Sequence, residues 1–213
     1  MLLGQMQVLL TDLYDLKIAH DVRDFLIVDA ELATLLDGGA RDADERLLIA
    51  QGGEDAEVSL YLQRDLLARL EKSDPVARLT EHNLADFWTV FEGVSHFTYF
   101  AWRASIDMPM SLLEMELQAE IDKFVATAML LHRQGERPPS SLHHWLFELP
   151  KFDRELEAEE LDRYRRANYY AARYCRKIWP DLTKVRQGQR LRQELRRFYR
   201  LPRPAKIGHI EAA

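Results

Sequence analysis

The stretch NLADFWTVFEGVSHFTYFAW, residues 83–102, decides the fold class. At 3.6 residues per turn Leu84, Trp88, Phe91, Tyr99 and Trp102 line one side of a helix, and Val90, Val94, Phe97 and Ala101 another. A helix that is apolar nearly all round must be surrounded by protein, which puts this one inside a helical body. Asn83 has the chemistry of an N-cap, with Asp86 at the third helical position. Downstream, SLLEMELQAEIDKFVATAMLLH, residues 111–132, begins with Ser111 and Glu114 in capping-box spacing. Its apolar stripe is Leu113, Leu117, Ile121, Phe124 and Ala128. Met108-Pro109 lies in the short connection, so the two helices are predicted to form an antiparallel hairpin.

Before this hairpin, residues 5–36 carry Val8, Leu9, Tyr14, Ile18, Val22 and Phe25 at roughly helical spacing and read mainly as helix. Phe25-Leu26-Ile27-Val28 has the composition of a short buried strand. Two β-like runs, residues 47–50 and 58–62, flank Gly52-Gly53-Glu54-Asp55, which is turn chemistry; a β-hairpin is predicted. A short helix over residues 65–71 should stop before Asp74-Pro75.

After it, residues 134–141 with Pro138-Pro139 form the clearest loop, and a short helix follows over residues 142–149. A longer one, residues 158–179, starts with acids, finishes with Arg173, Arg176 and Lys177, and is ended by Pro180. The last, residues 185–199, precedes Pro202, Pro204 and a tail expected to fray. The expected fold is α+β and mostly α-helical: a bundle-like helical body with a small β-hairpin in the N-terminal third. Residues 1–133 would be an acidic body. Residues 142–213 would be a basic helical part, separate or packed on that body as one domain.

The 213 residues, 47% apolar and 30% charged, suit a globular chain whose core needs no staples. A single cysteine, Cys175, excludes an internal disulfide and fits a reducing compartment. The N-terminus lacks the basic and apolar regions of a signal peptide, and no apolar run is long enough to span a bilayer. A cytoplasmic protein is expected.

Charge is sorted by position. Between Arg163 and Lys206 lie 15 Lys and Arg against two acids, Asp181 and Glu194, on a chain whose formal total is −6. Arginine outnumbers lysine there 12 to 3, and its planar fork grips phosphate and carboxylate in two-point contacts. Tyr169, Tyr170, Tyr174 and Tyr199 lie among the cations, and rings of this kind stack on unpaired bases. The leading expectation is a non-enzymatic binding or regulatory protein that engages an anionic partner, a nucleic acid or an acidic protein. Arg165, Arg166, Arg173, Arg176, Arg192, Arg196, Arg197 and Arg200 would carry the contact. The competing arrangement neutralises these helices against the acidic body or a second copy in a homo-oligomer.

A second candidate lies in the helical hairpin. Glu92 and His96 are four apart and share a face; Glu116 and Glu120 lie one turn apart on the other helix. Facing one another, these four would place oxygen and nitrogen donors inside a bundle, the way bundle metal sites are built. A metal ion or small ligand held by Glu92, His96, Glu116 and Glu120 is therefore the alternative function, an enzyme being one form of it, with the cofactor unspecified. The bland counterpart is a buried Glu92–His96 pair completed by Arg103, with Glu116 and Glu120 near solvent. His143, His144 and Glu148, and His20 with Asp24, have ligand-like spacing but sit in short or irregular segments. Cys175 falls on an apolar stripe, where thiols are usually inert. No glycine-rich phosphate loop, Cys-x-x-Cys or nucleophile-elbow motif occurs, so none of these names a reaction.

Overall fold

The structure, a computed structural model, describes residues 2–38, 43–52, 55–149, 156–183 and 188–212. Among these the chain forms nine α-helices and one small sheet. Helix α1, Leu2–Tyr14, is followed by a 3-10 turn, Val22–Phe25, strand β1, Leu26–Ile27, and α2, Ala30–Leu36. Then come the hairpin β2, Glu45–Gly52, and β3, Asp55–Leu62, and helix α3, Arg64–Lys72. The central pair is α4, Leu84–Ser105, and α5, Leu112–Arg133. The C-terminal part holds α6, Leu142–Phe147; α7, Ala158–Leu182; α8, Gly188–Arg200; and α9, Arg203–Glu211. Gly53 and Glu54 of the expected turn, and residues 185–187 of the last expected helix, lie outside the described residues. The molecule is thus mostly α-helical with a little β, as the apolar periodicity implied.

Helices α4 and α5 are antiparallel. Trp88 pairs with Thr127, Glu92 with Lys123, Ser95 with Asp122 and Arg103 with Glu114, so one helix descends as the other rises. Phe87, Phe91, Phe97 and Phe124 are fully buried between them and their neighbours. Each such side chain contributes about 1.5–3 kcal/mol relative to exposure. The capping box closes at the start of α5: Ser111 Oγ accepts from the Glu114 amide while the Glu114 carboxylate accepts from the Ser111 amide. The far end of α5 stops at Gly135, whose positive φ of 80° allows the Glu136 amide to reach back to the Leu131 carbonyl.

The sheet has order β1-β3-β2, with β1 parallel and β2 antiparallel to β3. Alternation along β3 sends Leu60 and Leu62 into the main core, against α4. Tyr61 goes to the other face, where it packs with Leu48, Ala33 and Ile27 in a small second cluster. Glu45 pairs with Leu62 and Leu47 with Leu60, so both side chains lie on the α4 face of the sheet.

The main hydrophobic cluster runs from Leu2 to Ile210 and joins body and C-terminal part. Helix α7 packs along α5 through Ala167, Ala171, Tyr174, Cys175 and Ile178, and α8 reaches α1. His143 and His132 tie α6 and α5 to α7 by bonds to the Ala172 and Leu182 carbonyls.

Four local expectations change. The segment from residue 5 to 36 is not one helix: α1 ends at Tyr14, where Asp15 adopts φ 55°, and β1 is the strand that Phe25–Val28 hinted at. Asn83 stands at the N-cap position of α4, but its side chain makes no capping hydrogen bond. Its Oδ1 accepts from the Thr80 amide and its Nδ2 donates to the Ser73 and Arg78 carbonyls, so it pins the α3–α4 loop instead. Helix α7 continues past Pro180 to Leu182, because a proline this close to the end removes only one late hydrogen bond. The tail does not fray. Pro204 stands in the first turn of α9, where a missing N–H costs nothing, and Lys206 and Ile210 bury it.

Candidate functional site

Gly93 builds the first site. A Cβ there would lie 2.8 Å from Glu45 Cγ and 2.8 Å from Leu60 Cδ1, so only glycine lets the sheet come this close to α4. That approach carries Glu45 to His96, one turn further along the helix. Glu45 Oε1 lies 3.4 Å from His96 Nδ1, and Glu116 Oε2, from α5, lies 3.2 Å from Nε2. The two ring nitrogens are nevertheless in different situations. Nδ1 has a hydrogen-bond partner in Glu45, whereas Nε2 is buried with none, because Glu116 lies off its axis.

Next to the imidazole, Lys123 Nζ donates to Glu92 Oε2 at 2.7 Å and to Glu120 Oε1 at 2.8 Å. Arg163, from α7, approaches Glu116 Oε1 at 3.8 Å and Glu160 at 3.5 Å. Two of the carboxyls show the crowding. Burial, together with Glu92 and Glu116, pushes Glu45 up against the opposing pull of His96. Burial, with the same two neighbours, also pushes Glu120 up in spite of Lys123. Glu92 moves the other way: burial would raise it, but Lys123 and His96 outweigh burial and hold it down. Burial alone would discharge His96, yet Glu116 and Glu45 keep it protonated well above the usual imidazole range. A cavity of about 450 Å³ opens beside the cluster. Glu45, His96, Glu116, Arg163 and Tyr164 are among its lining residues.

The structure therefore brings Glu92, His96 and Glu116 together, with one candidate ligand atom of each within 4.8 Å of the others. Glu120 stays outside that group, held on Lys123. Glu116 is 5% exposed and not marginal. Arg103 is not the partner of Glu92 and His96; it lies near the other end of the hairpin, on Glu114 and the Pro109 carbonyl. Spacing alone did not reveal Glu45, Lys123 or Arg163. Glu45 and Arg163 arrive from other elements, and only the glycine inside an otherwise apolar helix pointed to a close approach. Lys123 was legible in principle, three residues after Glu120 and one turn along the same face.

A second buried polar group joins the two parts of the chain. Asp122 accepts from Tyr14, from Ser95 Oγ at 2.6 Å and from Gln118 Nε2 at 2.8 Å. Lys206 Nζ, delivered by α9, donates to Gln118 Oε1 at 2.7 Å and sits over the rings of Tyr99, Phe198 and Tyr199. Burial lowers Lys206 to about 7 and raises Asp122 to about 6.

The weaker candidates stay apart. His144 and His143 both approach the exposed Glu148 through Nδ1, at 2.9 and 3.6 Å, while His143 Nε2 is taken by the Ala172 carbonyl. His20 stands edge-on to Phe25. Burial holds the Cys175 thiol far above its usual range.

The arginines divide into two groups. On α7, Arg165, Arg166, Tyr169, Arg173, Arg176 and Lys177 are exposed. At about 100° per residue they span roughly 120° of arc, opposite the stripe that docks on α5. No carboxylate among the described residues lies within 4.0 Å of Arg165 or Arg173; Arg166 and Arg176 have exposed ones at 3.8 Å, Asp162 and Glu148. Arg173 lies over the Tyr169 ring, its carbon 5.7 Å from the centroid, and Tyr169 is 56% exposed. On α8, Arg192 and Arg197 point outward, but Arg196 and Arg200 are committed. Arg196 donates to the Leu13 and Asp12 carbonyls and Arg200 to that of Asp15, where they cap the C-terminal end of α1. No helix among the described residues is long and apolar enough to cross a membrane. Comparison with protein-family models, with curated proteins and with solved structures finds no match to this chain.

Proposed function

We propose that the protein is a binding protein for single-stranded nucleic acid, and that the exposed arc of α7 is its contact surface. The observation that supports this reading is the cationic strip itself. Arg165, Arg166, Arg173 and Arg176 stand outward on one face, with at most long, solvent-screened carboxylate neighbours, around the exposed ring of Tyr169. Exposed pairs at such distances hold little energy and yield to a better anion. Guanidinium forks bind phosphates in two-point, charge-assisted contacts, while a base stacks on the tyrosine face. The apolar side of α7 is spent on α5, which fixes the strip on a rigid support. Arg196 and Arg200 belong to the scaffold and contribute positive field only. Arg192 and Arg197 extend the basic surface on α8.

Fluorescence anisotropy of a labelled single-stranded oligonucleotide at low salt tests the reading. The double variant Arg165→Glu/Arg173→Glu is expected to weaken binding at least tenfold, whereas Lys72→Glu, on the exposed end of α3, leaves it unchanged. Wild-type protein that retains neither DNA nor RNA at low salt would end the proposal. Capture of poly-glutamate under the same conditions would transfer the strip to an acidic protein.

A further inference from the structure

We propose that His96, Glu116 and Glu92 form a binding centre for one divalent first-row transition-metal ion, opening into the cavity between β2, α5 and α7. It stands independently of the nucleic-acid reading, because none of its residues belongs to the exposed arc of α7.

The argument begins at the imidazole. Metal-binding histidines typically give one ring nitrogen to a carboxylate and the other to the ion. His96 is arranged in this way. Glu45 Oε1 lies 3.4 Å from Nδ1, where it can hold the tautomer whose Nε2 lone pair faces an ion once the ring is neutral. Nε2 is then buried with no hydrogen-bond partner, although His96 is only 4% exposed. Glu116 Oε2 is 3.2 Å from it but off its axis. Two donor atoms about 3 Å apart that do not point at each other resemble neighbours in a coordination sphere, where metal–ligand bonds run about 2.0–2.2 Å. Glu92 completes the set within 4.8 Å, so the three donors must draw together by about an ångström to share one ion.

Charge supports the same conclusion. Five carboxylates, Glu45, Glu92, Glu116, Glu120 and Glu160, share this region with two permanent cations, Lys123 and Arg163. With a neutral imidazole the carboxylates outnumber the cations, an imbalance that favours a divalent ion. Protons compete with a metal ion for imidazole and carboxylate ligands, so affinity falls as pH falls.

The surrounding residues have distinct parts. Lys123 holds Glu92 by Oε2 only, which leaves Oε1 for the ion, and it keeps Glu120 out of the centre. Arg163 approaches the far oxygen of Glu116, so Oε2 faces His96. Imidazole with two carboxylates selects Zn²⁺, Co²⁺, Mn²⁺ or Fe²⁺ over Mg²⁺ and Ca²⁺, which prefer all-oxygen sets. His96 and Glu116 both line the cavity, so a three-ligand ion keeps open positions toward it for water or a small ligand.

Isothermal titration of chelator-treated full-length protein with Zn²⁺, and visible absorption with Co²⁺, test the proposal. One ion per chain is expected, with proton release, a Co²⁺ d–d band and no heat from Mg²⁺ or Ca²⁺. Glu116→Gln should weaken binding more than a hundredfold, and Glu45→Gln by 10- to 100-fold through loss of imidazole orientation. His144→Ala, at the exposed pair, should change nothing. Circular dichroism separates misfolded variants from informative ones; where a variant fails to fold, the wild-type Co²⁺ spectrum decides. Absence of Zn²⁺ and Co²⁺ binding by the wild type would overturn the proposal, as would folded Glu116→Gln protein that binds as tightly as wild type. A Glu116→Gln variant that loses metal while oligonucleotide binding persists separates this centre from the α7 surface.

Discussion

Gly93→Ala is the substitution whose outcome the packing most directly dictates. Glycine inside a helix costs roughly 0.5–1 kcal/mol relative to alanine, so propensity alone favours the variant. Opposing this, the new methyl would lie 2.8 Å from Glu45 Cγ, 2.8 Å from Leu60 Cδ1 and 2.9 Å from Glu45 Oε1. Leu60 is fully buried and cannot swing away, and overpacking of such a site costs about 1–3 kcal/mol. The steric cost exceeds the gain in helix propensity, and the variant is expected to be about 1 kcal/mol less stable in urea unfolding. The easier of the two contacts to relieve is Glu45, so the sheet edge gives there and Glu45 leaves Nδ1 of His96. The raised imidazole pKa should then fall, visible in an NMR titration of the His96 ring. A variant more stable than wild type by about the helix-propensity difference, with His96 unmoved, would refute the tight α4–sheet contact and Glu45's place in the site.

Lys206→Met probes how α9 is held. Lys206 titrates near 7 when folded and near 10.5 when unfolded, so between those values the unfolded chain binds the extra proton. Stability from this group therefore rises with pH above about 7, by at most about 1.4 kcal/mol per unit, and the variant should lack that rise. Urea unfolding of both proteins at pH 7 and pH 9.5 checks it; parallel profiles would show that Lys206 is not buried as described. Cys175 should resist a thiol reagent in the native protein and react fully in denaturant, with fast native labelling counting against the docking of α7 on α5. Ser111→Ala removes half of the capping box and should cost about 1 kcal/mol in thermal unfolding, with no effect on metal or oligonucleotide binding.

Local chemistry made the helical hairpin, the capping box and the β2–β3 pairing legible, because periodicity and caps act within a few residues. Residues 15–36 misled because Val22 and Phe25 keep helical spacing although Asp15 turns the chain out of α1. The α9 tail misled because its order depends on one lysine that finds Gln118 and three aromatic rings distant in sequence. The same limit applied to the candidate sites. Glu92, His96 and Glu116 shared faces that spacing reveals, whereas Glu45 and Arg163 reach them only through tertiary packing. Arg196 and Arg200 looked like ligand-binding residues by composition, yet their partners are backbone carbonyls at the end of α1.

The dependence of oligonucleotide affinity on salt tests the outward-facing arginines most directly. Each phosphate neutralised on a single strand contributes a slope of about −0.7 to log K against log salt. Four guanidinium groups on α7 therefore predict a slope of about −3 for wild type. A slope near zero would mean that the arginine face of α7 is not where the strand lies.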